Sequence, residues 1–339
     1  MNLLKYICLP GLLASGDIQT VSAVESKTDK NPNILVILID DAGYNDFGFM
    51  GSKEMQTPNI DALTSEGVVF TDAHVAATVS SPSRACLITG RYGHRFGYEC
   101  NLSDRTNGLP LEEETIAEVF KTNGYRTAAI GKWHLGSRDE QHPNNRGFDL
   151  FYGMKAGGRD YFYNEKKSDR PGDERNLLLN DRQVKFEKYL TDAFSEKAVE
   201  FINESSQPFM MYLAYNAVHT PMQATDEDMA KFEGHPRQKL AAMTYALDRG
   251  VGTVIRGLKD SGKFDNTLIF FLSDNGGATT NQSSNYPLKG FKGNKFEGGH
   301  RVPYFVVWKN GIPAGKPYDG LVSSLDIFAT AIDAAGISK

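Results

Sequence analysis

Two pairs of oxygen donors stand far apart in this sequence, Asp40-Asp41 and Asp274-Asn275. Adjacent carboxylates repel each other and lose hydration when buried, so such a pair after an apolar run calls for a compensating cation. Each pair alone also fits a solvated strand end, and Asp274-Asn275-Gly276 fits an ordinary turn. Taken together, three carboxylates and an amide suit one hard, oxygen-preferring ion such as calcium. The sequence holds no Cys/His ligand spacing of the zinc type. Lys132 and His134 lie two residues apart, which in extended chain points both to one face. His219 precedes Thr220-Pro221, a turn signal. A single histidine is ordinarily a satisfied polar group; two beside cations and carboxylates point to proton transfer. The segment Ser80-Ser81-Pro82-Ser83-Arg84 reads as a Ser-capped helix start with Pro in its first turn. Backbone donors and partial positive charge at that start would stabilise an oxyanion at Ser80. A capped helix does not by itself require Arg84, Thr89-Gly90 and Arg91 at their offsets.

These residues need a scaffold that brings them to one edge. Near-continuous apolar runs at 34–39, 126–130, 209–214, 268–272 and 304–307 predict strands covered on both faces. Helices are predicted from Thr57-Pro58 to about Ser65, over 115–123 with Gly124 as stop, and over about 192–203, 238–259 and 324–334. Strand and helix in alternation predict an α/β fold, doubly wound on a mostly parallel central sheet flanked by helices. Ligands of such sheets bind beyond the carboxyl ends of the strands, which places the chemistry after Ile39, Ile130, Ala214 and Leu272. The polar stretches 101–114 and 155–188 are expected to supply substrate loops.

Ser80-x-Pro82-Ser83-Arg84 with Leu87 and Thr89-Gly90-Arg91 resembles the signature of the formylglycine-dependent type I sulfatases, in the serine form. The resemblance extends over nearly all of 33–336, through Asp40-Asp41, Gly131-Lys132-Trp133-His134, Asn216 with His219-Thr220-Pro221, and Ser273-Asp274-Asn275-Gly276. It takes in Lys292-Gly293, Glu297-Gly298-Gly299 and Arg301-Val302-Pro303 as well. The resemblance implies an alkaline-phosphatase-like sandwich and conversion of Ser80, not Cys86, to formylglycine. It implies Asp40, Asp41, Asp274 and Asn275 as ligands of one Ca2+, with modified Ser80 facing the ion. Arg84 would hold the formylglycine hydrate, and Lys132 and Lys292 the sulfate oxygens. His134 would act on the hydrate as base, and His219 would protonate the departing alcohol. A plain serine could take the sulfuryl group once and stay sulfated; a hydrated aldehyde keeps a second hydroxyl through which sulfate is expelled. The serine form also implies a maturase of the radical S-adenosylmethionine type, acting in a bacterium before or during export.

With 339 residues, 40% hydrophobic and 23% charged, the chain is an ordinary globular protein in composition. A net charge of −5 argues against nucleic acid as partner. Lys5, the apolar run 6–14 and Val21-Ser22-Ala23 read as a signal peptide over 1–23, then a linker at 24–32 and a catalytic domain at 33–339. The early run is too short for a stable membrane span. Export machinery is thus an expected partner, and the periplasm or exterior the expected location. Cys86 and Cys100 leave one bridge or two free thiols open. The sequence stops where relatives of this kind continue into a smaller C-terminal subdomain, which is expected to be missing. Two rival readings stand beside sulfate-ester hydrolysis: a silent relative that binds calcium and sulfated glycans, and a phosphate or phosphonate ester hydrolase. Basic and aromatic groups at 90–99 suit a sulfated carbohydrate as substrate, although a sulfated small molecule fits the same site.

Overall fold

The computed structural model describes residues 31–101 and 108–338. The expected signal peptide and most of the linker lie outside them, as does part of the 101–114 stretch. Along the chain, β1 (Asn33–Ile39) is followed by α1 (Pro58–Thr64), β2 (Val68–Phe70), β3 (Ala73–His74) and α2 (Ser80–Thr89). Next come α3 (Ile116–Thr122), β4 (Arg126–Lys132), β5 (Leu150–Met154), β6 (Leu178–Leu179) and β7 (Arg182–Gln183). Then α4 (Leu190–Glu204), β8 (Phe209–Ala214), α5 (Asp226–Ala230), α6 (Gln238–Asp260) and β9 (Thr267–Ser273) lead to α7 (Glu297–His300), β10 (Tyr304–Val307), β11 (Val322–Ser323) and α8 (Asp326–Ala334).

Nine of the described strands form one sheet in the order β2-β10-β9-β1-β8-β4-β5-β6-β7. The five at its centre, β9 to β5, run parallel, with Leu35 opposite both Met211 and Ile269. Antiparallel strands close both edges, β10 and β2 on one side and β6 and β7 on the other. The apolar run at 304–307 is therefore a strand, but it runs against its neighbour.

Every residue of β1 is buried, and its alternation divides the core. Leu35, Ile37 and Ile39 face a layer with α1, α4 and α6; Ile34, Val36 and Leu38 face one with α2, α3 and α8. A helix layer on each side explains why the central strands read as unbroken apolar runs. The α3 helix starts in a capping box, with the Thr115 hydroxyl accepting from Glu118 N–H and the Glu118 carboxylate from Thr115 N–H. Among the described residues, no helix is long and apolar enough to cross a membrane. Both Cys86 and Cys100 are free thiols, Cys86 being buried.

Candidate active site

The parallel strands deliver four chain segments to one edge. Asp40-Asp41 follows β1, Lys132 ends β4, Asn216 and His219 follow β8, and Asp274-Asn275 follows β9. The α2 helix brings Ser80 and Arg84 from one layer, and the segment between β9 and α7 brings Lys292. All ten residues singled out from the sequence belong to this region, and the His134 carbonyl is tied to the start of α2 through Ser81.

Ser80 is the first residue of α2, and Val79 holds the N-cap position. Its hydroxyl therefore does not cap the helix, which corrects the Ser-capped reading. It turns instead to the carboxylates, with Oγ 3.2 Å from both Asp40 Oδ1 and Asn275 Oδ1. One turn later, Arg84 donates from Nε and Nη2 to Asp274 Oδ2 at 3.0 and 2.8 Å. Its Nη1 reaches Lys132 O and the Tyr212 hydroxyl. Lys132 Nζ lies 2.5 Å from Asp40 Oδ2, with both side chains fully buried. Lys292 Nζ meets Asp41 Oδ1 at 2.7 Å, and His219 Nε2 stands 3.7 Å from Asp41 Oδ2. Asn275 Nδ2 donates to Asp41 Oδ1 at 2.8 Å, which aims its amide oxygen at Ser80.

Depth separates these groups into a floor and a rim. Asp40, Asp41, Ser80, Arg84, Lys132, Asp274 and Asn275 are all buried, whereas His134, His219 and Lys292 remain partly exposed. Burial favours the neutral form of Asp40, but Lys132, His219, Arg84 and Lys292 outweigh it and hold the carboxyl far below its ordinary range. Burial and the neighbouring Asp40 charge push Asp274 upward. Burial lowers the His134 pKa well below its usual value, and the charges of Lys132 and Arg84 add to this. Its imidazole is thus neutral at neutral pH, as a proton acceptor must be. His219 Nδ1 is 2.6 Å from Thr220 O. A carbonyl only accepts, so Nδ1 bears a hydrogen and Nε2 is the nitrogen turned to the site.

The donor set fits an oxygen-preferring cation. Ligand atoms of Asp40, Asp41 and His219 all lie within 4.8 Å of one another, and Ser80 Oγ links Asp40 to Asn275 Oδ1, whereas Asp274 stands outside that group with Oδ2 on Arg84. Three buried carboxylates are already matched in charge by Arg84, Lys132 and Lys292, so a divalent ion would leave the site net positive and ready for an anion. A second cluster, Asp72, His74 and Glu297, already holds a cation of its own, since Arg301 pairs with both acids.

The path of the chain differs from expectation at His134. Its φ is +57°, a left-handed conformation, so the period of two in extended chain is not what brings it near Lys132. Ser81 Oγ donates to His134 O, which ties this bend to the start of α2. Other supports carry no sequence signal. Asn281 Nδ2 donates to Asp41 O and Val218 O, and Ser283 Oγ donates to Asp41 O, yet both sit in an ordinary polar loop. The Glu297-Gly298-Gly299 stretch is structural: Gly276 N–H bonds Gly299 O at 2.9 Å, and a Cβ on Gly276 would come within 1.8 Å of Gly298 O. Within 90–99, Arg91 is taken by Glu113 and the Tyr98 hydroxyl by Ser81, while Tyr92 stays exposed.

Comparison with known proteins finds one family description, Sulfatase, matching residues 32–337. The chain is 34% identical to the uncharacterized sulfatase YdeN of Escherichia coli (strain K12), covering 93% of this chain and 64% of that protein. It is 36% identical to arylsulfatase G of Mus musculus, covering 91% of this chain and 66% of the relative. The chain thus spans just under two thirds of the length of these relatives. Among solved structures, Ps i-CgsB in complex with k-i-k-neocarrahexaose superposes with a TM-score of 0.86 at 44% identity, over 91% of this chain and 73% of that one.

Proposed function

The chain belongs to the sulfatase family, and from that membership and the site geometry we propose that it hydrolyses sulfate esters of a carbohydrate. The observation that carries this reading is Ser80 Oγ at the start of α2, 3.2 Å from both Asp40 and Asn275 and beside three buried or half-buried cations. Such a position presents one side chain to an oxygen cluster and to an anion at once. Converted to formylglycine and hydrated, Ser80 would offer two hydroxyls on one carbon, one to take the sulfuryl group and one through which sulfate is released. Asp40, Asp41, Asp274 and Asn275 would hold one Ca2+, which supplies positive charge beside the sulfate oxygens.

The remaining work falls to residues of the chain. Arg84 stands one turn from Ser80 and fixes Asp274, so it holds both the nucleophile's neighbourhood and the ligand set. Lys132 and Lys292 approach from opposite carboxylates and grip the ester's oxygens, where charge accumulates. His134, neutral at neutral pH, takes the proton of the hydrate's second hydroxyl as sulfate is expelled, and His219 gives one to the leaving alcohol from Nε2. The carbohydrate part of the reading draws on the 44% identical neighbour bound to k-i-k-neocarrahexaose. Conversion of Ser80 assigns a radical S-adenosylmethionine maturase as partner, and residues 1–23 assign export.

The test is co-expression with such a maturase, followed by mass spectrometry of the peptide carrying Ser80 and turnover of an aryl sulfate and defined sulfated oligosaccharides. The peptide is expected to lose two hydrogens, and sulfate release to vanish in Ser80→Ala. A converted protein that released phosphate but no sulfate would overturn the assignment, and cleavage of aryl sulfates alone would remove the carbohydrate.

A further inference from the structure

One segment, residues 154–161, touches both histidines of the site. Trp133 N–H donates to Met154 O and His134 N–H to Lys155 O, each at 3.0 Å. The chain then passes the two rings with no side chains of its own. A Cβ on Gly157 would lie 2.6 Å from His134 Nε2, and one on Gly158 would lie 3.3 Å from His219 Cε1 and Nδ1. Three residues on, the Tyr161 hydroxyl reaches Asn216 O at 2.6 Å and His219 O at 2.8 Å. Those two carbonyls are the two ends of the turn that presents His219, whose own N–H closes onto Asn216 O.

The segment is held rigidly. Arg159 donates from Nη2 to both carboxylate oxygens of Asp169 at 2.7 and 2.9 Å, both side chains fully buried. Tyr161 N–H donates to Gln223 Oε1, and its ring stacks on Tyr189 with centroids 5.3 Å apart. Burial, with the charges of Tyr189, Asp40 and Asp41 behind it, raises the Tyr161 pKa well above its usual value, so the phenol keeps its proton and donates.

We infer that Tyr161 is a positioning residue for the proton donor, and that Gly157-Gly158 is the gap through which the two histidines keep their spacing. The inference rests on the reading of His219 as the acid of sulfate-ester cleavage. In that step the sulfur–oxygen bond to the alcohol breaks, its electron pair goes to the alcohol oxygen, and that oxygen takes a proton from Nε2 of the His219 imidazolium, which leaves neutral imidazole with its remaining proton on Nδ1. A proton delivered to a bond in the act of breaking demands placement to a fraction of an ångström, which a turn tied at both ends by one hydroxyl provides.

The experiment uses enzyme with the aldehyde verified and two kinds of ester. A nitrophenyl sulfate expels a stable anion and needs little protonation, whereas a sugar sulfate expels an alkoxide and depends on it. Tyr161→Phe keeps the stacked ring and removes only the hydroxyl. It is expected to lower kcat on the sugar sulfate by about 10-fold or more and on the nitrophenyl ester by less than about 2-fold. In a His219→Ala background the same change should add less than about 2-fold on either ester, because the two residues act as one unit. Gly158→Ala, whose new methyl would meet the His219 ring first, should repeat the selective loss and serves if Tyr161→Phe does not fold. Equal losses on both esters, or an undiminished effect without His219, overturn the inference. A parent enzyme inert on both esters would instead defeat the sulfatase reading itself, and the inference with it.

Discussion

Arg84 and Lys292 each neutralise a carboxylate of the site, but they stand at different depths. Arg84 is sealed in, paired with Asp274, and its side chain exposes nothing; Lys292 keeps 18% of its side chain open beside Asp41. Removing a buried cation strands a buried carboxylate, which costs about 3–5 kcal/mol. Arg84→Leu should therefore lose stability of that order in urea unfolding along with activity. Lys292→Ala should unfold close to the parent and lose about 100-fold in kcat/KM, the scale expected for one donor to developing charge. Equal stability losses in the two variants would contradict the floor-and-rim division. His134 adds a pH dependence whose sign follows from its burial. The folded chain holds it neutral, while the unfolded chain takes up a proton near its ordinary value of about 6.5. Below that value the unfolded state binds more protons, so stability falls with acidification, by at most about 1.4 kcal/mol per pH unit for this group. Denaturation at about pH 7.5 and about pH 5 should show a smaller fall in His134→Gln than in the parent.

At the scale of elements, the carboxyl ends of β4 and β8 meet at a point that tolerates no side chain. Gly131 has φ +106°, and a Cβ there would lie 1.9 Å from Ala214 O on the neighbouring strand. Gly131→Ala must part the strands just before Lys132 and Asn216, with a strain cost of about 1–3 kcal/mol. Both stability and turnover should drop, and a variant with parental activity would show that these strand ends need no such closeness. Four of the five central strands, β1, β4, β8 and β9, are legible in the sequence because layers on both faces make them continuously apolar, whereas β5 is not among the predicted runs; the layers also place the site at the strand ends. The antiparallel sense of β10 is not, since strand direction leaves no mark on a short apolar run. The strands β6 and β7 have two residues each, too few for any period to register. The oxygen donors are legible only as a set, since each pair alone fits a solvated strand end or a turn and the parallel strands bring the two to one edge. Asn281, Ser283 and Tyr161 are not, because each acts on a backbone carbonyl that only the folded chain brings near. His134 is found as a residue but not as a conformation: its left-handed φ accompanies bonds to Ser81 and Lys155 that only the folded chain brings near.

For the whole molecule, the site is where distant parts of the chain are clasped. Arg84 and Asp274 are 190 positions apart, Asn275 and Asp41 are 234 apart, and Lys292 and Asp41 are 251 apart. The clasp also ties one helix layer to the sheet, since α2 packs in that layer and the strand ends and the loop after β9 carry the rest. A cation bound by Asp40, Asp41, Asp274 and Asn275 would thus link β1 to β9 only when the chain is folded, and binding to the folded state alone adds stability by mass action. At a free Ca2+ concentration of about 100 times its dissociation constant the gain is about 2.7 kcal/mol. Protein stripped with a chelator should therefore melt several degrees lower than protein returned to calcium, and Mg2+ should restore less, because it demands a smaller and stricter octahedron of ligands. Asp274→Asn removes one ligand charge and should abolish most of the calcium-dependent rise, whatever it does to the melting point without metal. Identical melting curves in chelator and in calcium would mean that this edge of the sheet holds no such ion, and the charge balance of three acids against three bases would then be the site's complete electrostatic design.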